Sequence, residues 1–138
     1  MAKKILVVDD SRSWLDYHKS LLEKIYGEEF IVETANSARN GYDMIYNNLK
    51  EPYSLIVTDL QMELDFEPKY AGEWFVEQVQ KMKEYANAPI IMISATYNIR
   101  QIAQAYNVSC LPKVTAARDL TAYKLAMDEL VENVKGEK

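Results

Sequence analysis

Ile5-Leu6-Val7-Val8-Asp9-Asp10-Ser11 decides how the rest of the chain is read. Four apolar residues run without polar alternation, the pattern of a strand covered on both faces, and stop at two carboxylates. Trp14, Leu15, His18, Leu21, Leu22 and Ile25 follow, spaced so that all six share one face of a helix. The strand-then-helix unit then recurs. Short apolar runs stand at Phe30 to Val32, Leu55 to Val57, Ile90 to Ile93 and Val108 to Leu111. Between and after them lie helical faces: Tyr42, Ile45, Tyr46 and Leu49; Phe75, Val79, Met82 and Ala86; Ile99, Ile102, Ala103 and Tyr106; Tyr123, Met127, Leu130, Val131 and Val134. Five βα units of this kind predict one open, doubly wound parallel sheet with right-handed crossovers and helices on both sides, an α/β/α sandwich in three layers.

Composition limits the chemistry. The 138 residues suit one domain spanning 1–138, and an apolar fraction of 49% with 27% charged residues is that of a globular chain. A formal charge of −5 without a local basic patch argues against nucleic acid as a partner. No apolar run approaches the length of a bilayer span, and no secretory cleavage pattern follows Lys3-Lys4, so no membrane role and a cytoplasmic location are expected. One cysteine, Cys110, and one histidine, His18, leave nothing for a Cys-based zinc site, a multi-His centre or a Ser-His-Asp hydrolase.

Ligands of doubly wound sheets bind beyond the carboxyl ends of the strands. On that rim the sequence places Asp9-Asp10, Thr58-Asp59, Ser94-Ala95-Thr96 and Pro112-Lys113. Each alone has an ordinary explanation: Asp-Asp ahead of a helix is an N-cap, Asp59 caps a loop, Ser94 ends a strand and Lys113 is a solvated charge. Together, at the ends of strands 1, 3, 4 and 5, they form a set. Three converging carboxylates repel one another unless a cation neutralises them, and hard oxygen donors suit Mg²⁺. A lysine and a hydroxyl facing the same point can hold the oxygens of a phosphoryl group.

At this point the chain resembles the receiver domain of bacterial two-component response regulators, over almost its whole length. The residues that carry the resemblance are Ile5-Leu6-Val7-Val8-Asp9-Asp10-Ser11, Leu55-Ile56-Val57-Thr58-Asp59-Leu60-Gln61-Met62, Ile90 to Ile93 with Ser94-Ala95, and Lys113. The resemblance implies a (βα)5 flavodoxin-like fold and a phosphoacceptor signalling domain rather than an enzyme, limited to self-catalysed phosphotransfer and autodephosphorylation. It implies that Asp59 takes a phosphoryl group from a sensor histidine kinase or phosphotransfer protein. Asp10, Asp59 and the Gln61 carbonyl would bind Mg²⁺, with Asp9 acting mainly through a water. Ser94, the Ala95 N–H and Lys113 would hold the phosphoryl oxygens. The output would be altered binding of a downstream protein partner, with a homodimer left open.

Three departures from the family pattern stand out. Glu63 follows Met62 in place of the usual proline, and the counterpart of the family glycine is Gly72, which lengthens an acidic connection containing Glu63, Asp65 and Glu67. Val114 rather than proline follows Lys113, so that peptide is expected to be trans, because a non-proline cis bond costs about 3 kcal/mol. Cys110 stands where the family carries an aromatic residue, with Tyr97 and Tyr106 as candidate substitutes. Two other readings stay open: a receiver-like adaptor that binds partners without phosphorylation, and a small aspartyl-phosphate phosphatase, disfavoured because Gln61 occupies the place of its second acid. His18 and Cys110 read as core residues, the tyrosines mostly as core filling, and one of Trp74 and Phe75 as a surface residue open to a partner.

Overall fold

The computed structural model describes residues 3–62 and 70–136, with side chains through residue 132. Five strands, β1 (Lys3–Val8), β2 (Phe30–Ala35), β3 (Leu55–Thr58), β4 (Ile90–Ser94) and β5 (Ser109–Pro112), form one parallel sheet in the order β2-β1-β3-β4-β5. The helices are α1 (Arg12–Tyr26), α2 (Ala38–Asn47), α3 (Ala71–Gln80), α4 (Ile99–Tyr106), α5 (Lys113–Arg118) and α6 (Leu120–Gly136), with a 3-10 turn at Lys83–Tyr85. This is the flavodoxin-like three-layer arrangement expected.

Alternate side chains of the central strands fill two cores. Leu6, Val8, Ile56 and Met92 pack with Ile45, Phe75, Val79 and Ala103 under α2, α3 and α4. Ile5, Val7, Leu55, Val57 and Ile91 pack with Leu15, Leu22, Tyr123 and Met127 under α1, α5 and α6. Because residues 5–8 of β1 and all of β3 and β4 are buried on both faces, these stretches are apolar up to the polar residues at the carboxyl ends of β3 and β4.

The edges depart from the expected boundaries. β2 extends three residues beyond Val32, through Glu33 and Thr34 to Ala35, each register position pairing with β1. As an edge strand it tolerates polar side chains that a buried strand would not, and these hid its length. β5 begins one residue later than expected. Asn107, at φ 57° and ψ 46°, closes α4, its N–H bonding to Gln104 O at 3.1 Å while Val108 N–H bonds to Ala103 O at 3.0 Å. This Schellman closure uses Val108 for the helix end. Pro112 is tolerated because it ends an edge strand.

A sixth helix was not anticipated. Asp119 breaks the last helical segment: its N–H bonds back to Thr115 O at 2.8 Å, and its carboxylate accepts from Ala122 N–H at 3.0 Å. One residue thus ends α5 and caps α6. Ala86 does not lie on α3, which stops at Gln80, and Tyr85 of the 3-10 turn is buried in its place. Tyr46 is exposed rather than core, stacked at 6.2 Å on Tyr42. Phe75 is the fully buried member of its pair, and Trp74 lies half-buried against Tyr42 at 5.6 Å. Glu63, Asp65 and Glu67 lie outside the described residues, as do Glu137 and Lys138.

Candidate functional site

The sheet order puts β1 and β3 side by side at the point where the winding reverses, so residues leaving their carboxyl ends share one crevice. Two backbone bonds fix the exits: Asp9 N–H to Ala35 O at 3.1 Å and Asp59 N–H to Val8 O at 2.9 Å. The N-cap of α1 is Ser11, whose Oγ accepts from Trp14 N–H at 3.3 Å. The side-chain cap of α1 is therefore the serine. One carboxylate oxygen from each of Asp9, Asp10 and Asp59 lies within 4.8 Å of the others.

Asp9 and Asp59 are buried and Asp10 is half-buried. Asp9 Oδ1 accepts from Ser11 N–H at 2.9 Å, and Asp59 Oδ1 from Leu60 N–H at 2.7 Å. Lys113, the first residue of α5, reaches both: its Nζ stands 2.9 Å from Asp59 Oδ2 and 3.1 Å from Asp9 Oδ2. Burial pushes the Asp9 carboxyl above its ordinary range and the charge of Asp59 adds to the rise, against the lowering pull of Ser11 N–H and Lys113. For Lys113, burial opposes the charge, but the two carboxylates more than offset it and hold the ammonium protonated above the ordinary lysine range.

Three carboxylates converge here, and the Lys113 ammonium lies against two of them, Asp9 and Asp59. A small divalent cation, which prefers hard oxygen donors, suits such a cluster in charge and ligand type.

The other half of the crevice is the end of β4. Ser94 is buried, its Oγ 3.0 Å from Thr96 Oγ1 and accepting from Thr96 N–H at 3.2 Å, while Ala95 is exposed. Ser94, Ala95 and Lys113 line one groove of about 630 Å³, with Tyr97 and Val114 at its exposed mouth. Gln61 is exposed just beyond β3. Gly72, in the first turn of α3, backs directly onto the site: its N–H bonds to Leu60 O at 2.9 Å, and a Cβ there would stand 2.1 Å from Asp59 O. Cys110 is half-buried on β5, and the Tyr106 hydroxyl donates to Glu73 Oε1 at 3.0 Å and Glu77 Oε2 at 2.8 Å.

With this geometry in place, the comparisons with known proteins converge. The sequence model for the response regulator receiver domain matches residues 5–123. The chain belongs to the response regulator receiver domain family. A receiver domain protein from Clostridium thermocellum is 25% identical, with a TM-score of 0.73 over 96% of this chain and 97% of that one. The chemotaxis protein CheY4 of Vibrio cholerae is also 25% identical, with a TM-score of 0.64 over 82% of this chain and 88% of that one. The receiver domain of a Syntrophus aciditrophicus histidine kinase, 18% identical, shares the fold with a TM-score of 0.71, covering 99% of this chain and 96% of that one. No curated protein sequence matches the chain significantly.

Sequence reasoning missed three residues of this receiver domain's site. Ser11 was read with the strand end rather than as the cap of α1; its position three residues before Trp14 was the available signal. Thr96 stood on the predicted rim without a role, yet it fixes the Ser94 hydroxyl. Trp14 was assigned only to the apolar face of α1, whereas its ring lies 5.1 Å from Lys113 Nζ. His18 is a core residue, as expected, sharing a 2.8 Å hydrogen bond with the Tyr123 hydroxyl. Among the described residues, no helix is long and apolar enough to cross a membrane.

Proposed function

We propose that this receiver domain takes a phosphoryl group on Asp59, with Mg²⁺ held by Asp9, Asp10, Asp59 and the Gln61 carbonyl, and signals by changing which protein it binds. The observation that carries this reading is the Lys113 ammonium drawn between Asp59 and Asp9 inside a three-carboxylate cluster. In the transfer, an Asp59 carboxylate oxygen forms a bond to phosphorus while the bond from phosphorus to the donor breaks, and the donor keeps the electron pair. The donor is a histidine nitrogen of a sensor kinase or phosphotransfer protein. The metal supplies charge neutralisation at the phosphoryl oxygens.

This chain's own groups do the rest. Lys113 exchanges Asp59 Oδ2 for a phosphoryl oxygen, which keeps a cation on the developing charge throughout. Ser94 leaves Thr96 to donate its hydroxyl to a second oxygen, and the Ala95 N–H serves a third. Water attack on phosphorus later regenerates Asp59 and releases phosphate. The domain acts in the cytoplasm, and 1–138 works as one unit.

The test is mass spectrometry after incubation with acetyl phosphate and Mg²⁺. One phosphoryl group is expected on the parent chain and none on Asp59→Asn, and beryllofluoride should bind the parent only when Mg²⁺ is present. A parent chain that takes neither reagent would establish the adaptor reading, which Cys110 at the aromatic position of β5 favours.

A further inference from the structure

We propose that Trp14 is a positioning residue for Lys113: its ring face holds the ammonium over the Asp9–Asp59 pair. This rests on the reading of Asp59 as phosphoacceptor only for its kinetic consequence, because the contact itself is structural. Lys113 starts from β5, the sheet edge, and must reach past β4 to β3 and β1, two and three strand spacings of about 4.8 Å away. The backbone beneath it is weakly held. β5 pairs only with β4, Pro112 offers no N–H, and Val114 is exposed. A lysine stem has four rotatable carbons, so a carboxylate at its tip does not by itself fix its path.

Trp14 supplies the missing constraint. Its ring centroid lies 5.1 Å from Lys113 Nζ, within the range where the negative ring face attracts a cation. The ring is itself immobilised by its neighbours on the same face of α1. It meets Tyr17 edge-on at 5.3 Å and His18 at 5.3 Å, and His18 stacks on Tyr123 of α6 at 5.7 Å. His18 and Tyr123 are fully buried and hydrogen-bonded to each other, so the platform under the ring is rigid. The Tyr17 hydroxyl also donates to Ala116 O at 2.6 Å, tying α1 to the short helix that Lys113 begins. One face of α1 thus holds both ends of the lysine: Tyr17 its helix, Trp14 its ammonium.

A purely space-filling Trp14 would be served equally by any apolar side chain, whereas a positioning ring needs a π-face. The experiment compares Trp14→Phe with Trp14→Leu, each checked by urea unfolding and assayed for acetyl-phosphate labelling under conditions where it is folded. The Leu variant should label more slowly by about tenfold, and the Phe variant should stay within about threefold of the parent. Equal rates for Phe and Leu overturn the proposal.

A second measurement does not need phosphorylation. In a Trp74→Phe background Trp14 is the sole tryptophan, and Lys113→Met should then change its emission spectrum by removing the ammonium from the ring. An unchanged spectrum also overturns the proposal. If the parent chain takes no label at all, the reading of Asp59 fails, and the emission comparison still decides the placement of Lys113.

Discussion

Replacing Lys113 by Met takes the ammonium away from the buried carboxylates of Asp9 and Asp59. The methionine keeps the length and apolar stem of the side chain, so the perturbation is chiefly one of charge. In the parent the ammonium lies against Asp9 and Asp59 of the cluster; in the variant that positive charge is gone. Removing one partner of a buried ion pair costs about 3–5 kcal/mol. The lower end, about 3 kcal/mol, applies here, because the Lys113 side chain keeps 14% exposure and Asp10 is only half-buried. With urea slopes of about 1–3 kcal/mol per molar, the midpoint should fall by roughly 1–3 M in chelator at neutral pH.

Two further signatures separate this from a packing defect. The Asp9 carboxyl is already raised above its unfolded value, and losing Lys113 removes two of the influences that lower it. A group whose folded pKa is raised contributes stability below its unfolded pKa and loses it as pH rises through the folded one. The deficit of the variant should therefore be smaller at about pH 5 than at about pH 8. Mg²⁺ at a hundred times its dissociation constant stabilises by about 2.7 kcal/mol, and the variant, with the ammonium gone, should gain more from a given Mg²⁺ concentration than the parent. A midpoint unchanged by the substitution, or a deficit indifferent to both pH and Mg²⁺, would refute the electrostatic account of the site.

Two other perturbations test the surroundings. His18 is buried, and this, with the nearby Lys113 charge, lowers its pKa to about 3 from 6.5. The unfolded chain therefore binds a proton that the folded chain refuses between those values: His18 costs no stability above about pH 6.5 and about 1.4 kcal/mol per pH unit on acidification toward pH 3. Urea titrations of His18→Gln should lack that share of the acid dependence, and equal acid slopes would contradict the burial argument. Gly72→Ala should destabilise by about 2 kcal/mol and weaken Mg²⁺ binding, both measurable by urea unfolding with and without the metal. Helix propensity alone favours alanine by about 1 kcal/mol, but the new Cβ would stand 2.1 Å from Asp59 O and 2.6 Å from Leu60 Cα, so a stabilised variant would refute the close approach.

What the sequence disclosed and what it hid divide along a physical line. Ile5 to Val8, Leu55 to Val57 and Ile90 to Ile93 were legible because burial on both faces demands unbroken apolar runs. Asp9, Asp10, Asp59, Ser94 and Lys113 were legible because strand ends in a parallel sheet share one rim, and Lys113 indeed meets Asp9 and Asp59. The edges were less legible. Glu33 and Thr34 belong to β2 through backbone pairing with β1, which leaves no apolar signature. Tyr46 satisfies the helical period of α2, yet it stands beside the buried line of Ala38, Gly41 and Ile45 and is exposed. Trp14 obeyed its period too; only the tertiary approach of Lys113, ninety-nine positions along the chain, gives its ring a second partner.

The two sides of the sheet carry different constraints, and this bears on how a change at Asp59 would spread. On one side, Tyr106 ties α4 to Glu73 and Glu77 of α3, and the Gln80 side chain donates to Tyr106 O at 2.8 Å. A hydroxyl held by two carboxylates is poorly placed to follow Ser94. Tyr97, the other aromatic candidate, is almost fully exposed at the groove mouth, so neither reproduces a buried aromatic on β5. On the other side, Lys113 touches Asp59, Asp9 and the Trp14 ring at once, and that ring rests on His18 and, through it, on Tyr123 of α6. Phosphoryl transfer to Asp59, as proposed, would move the partner of this ammonium, and the first elements to register it would be α1, α5 and α6. Those contacts run side chain to side chain, whereas the link toward α4 runs from Ser94 to Thr96 and on through Ile99 N–H to Thr96 O at 3.3 Å, with no ring in it.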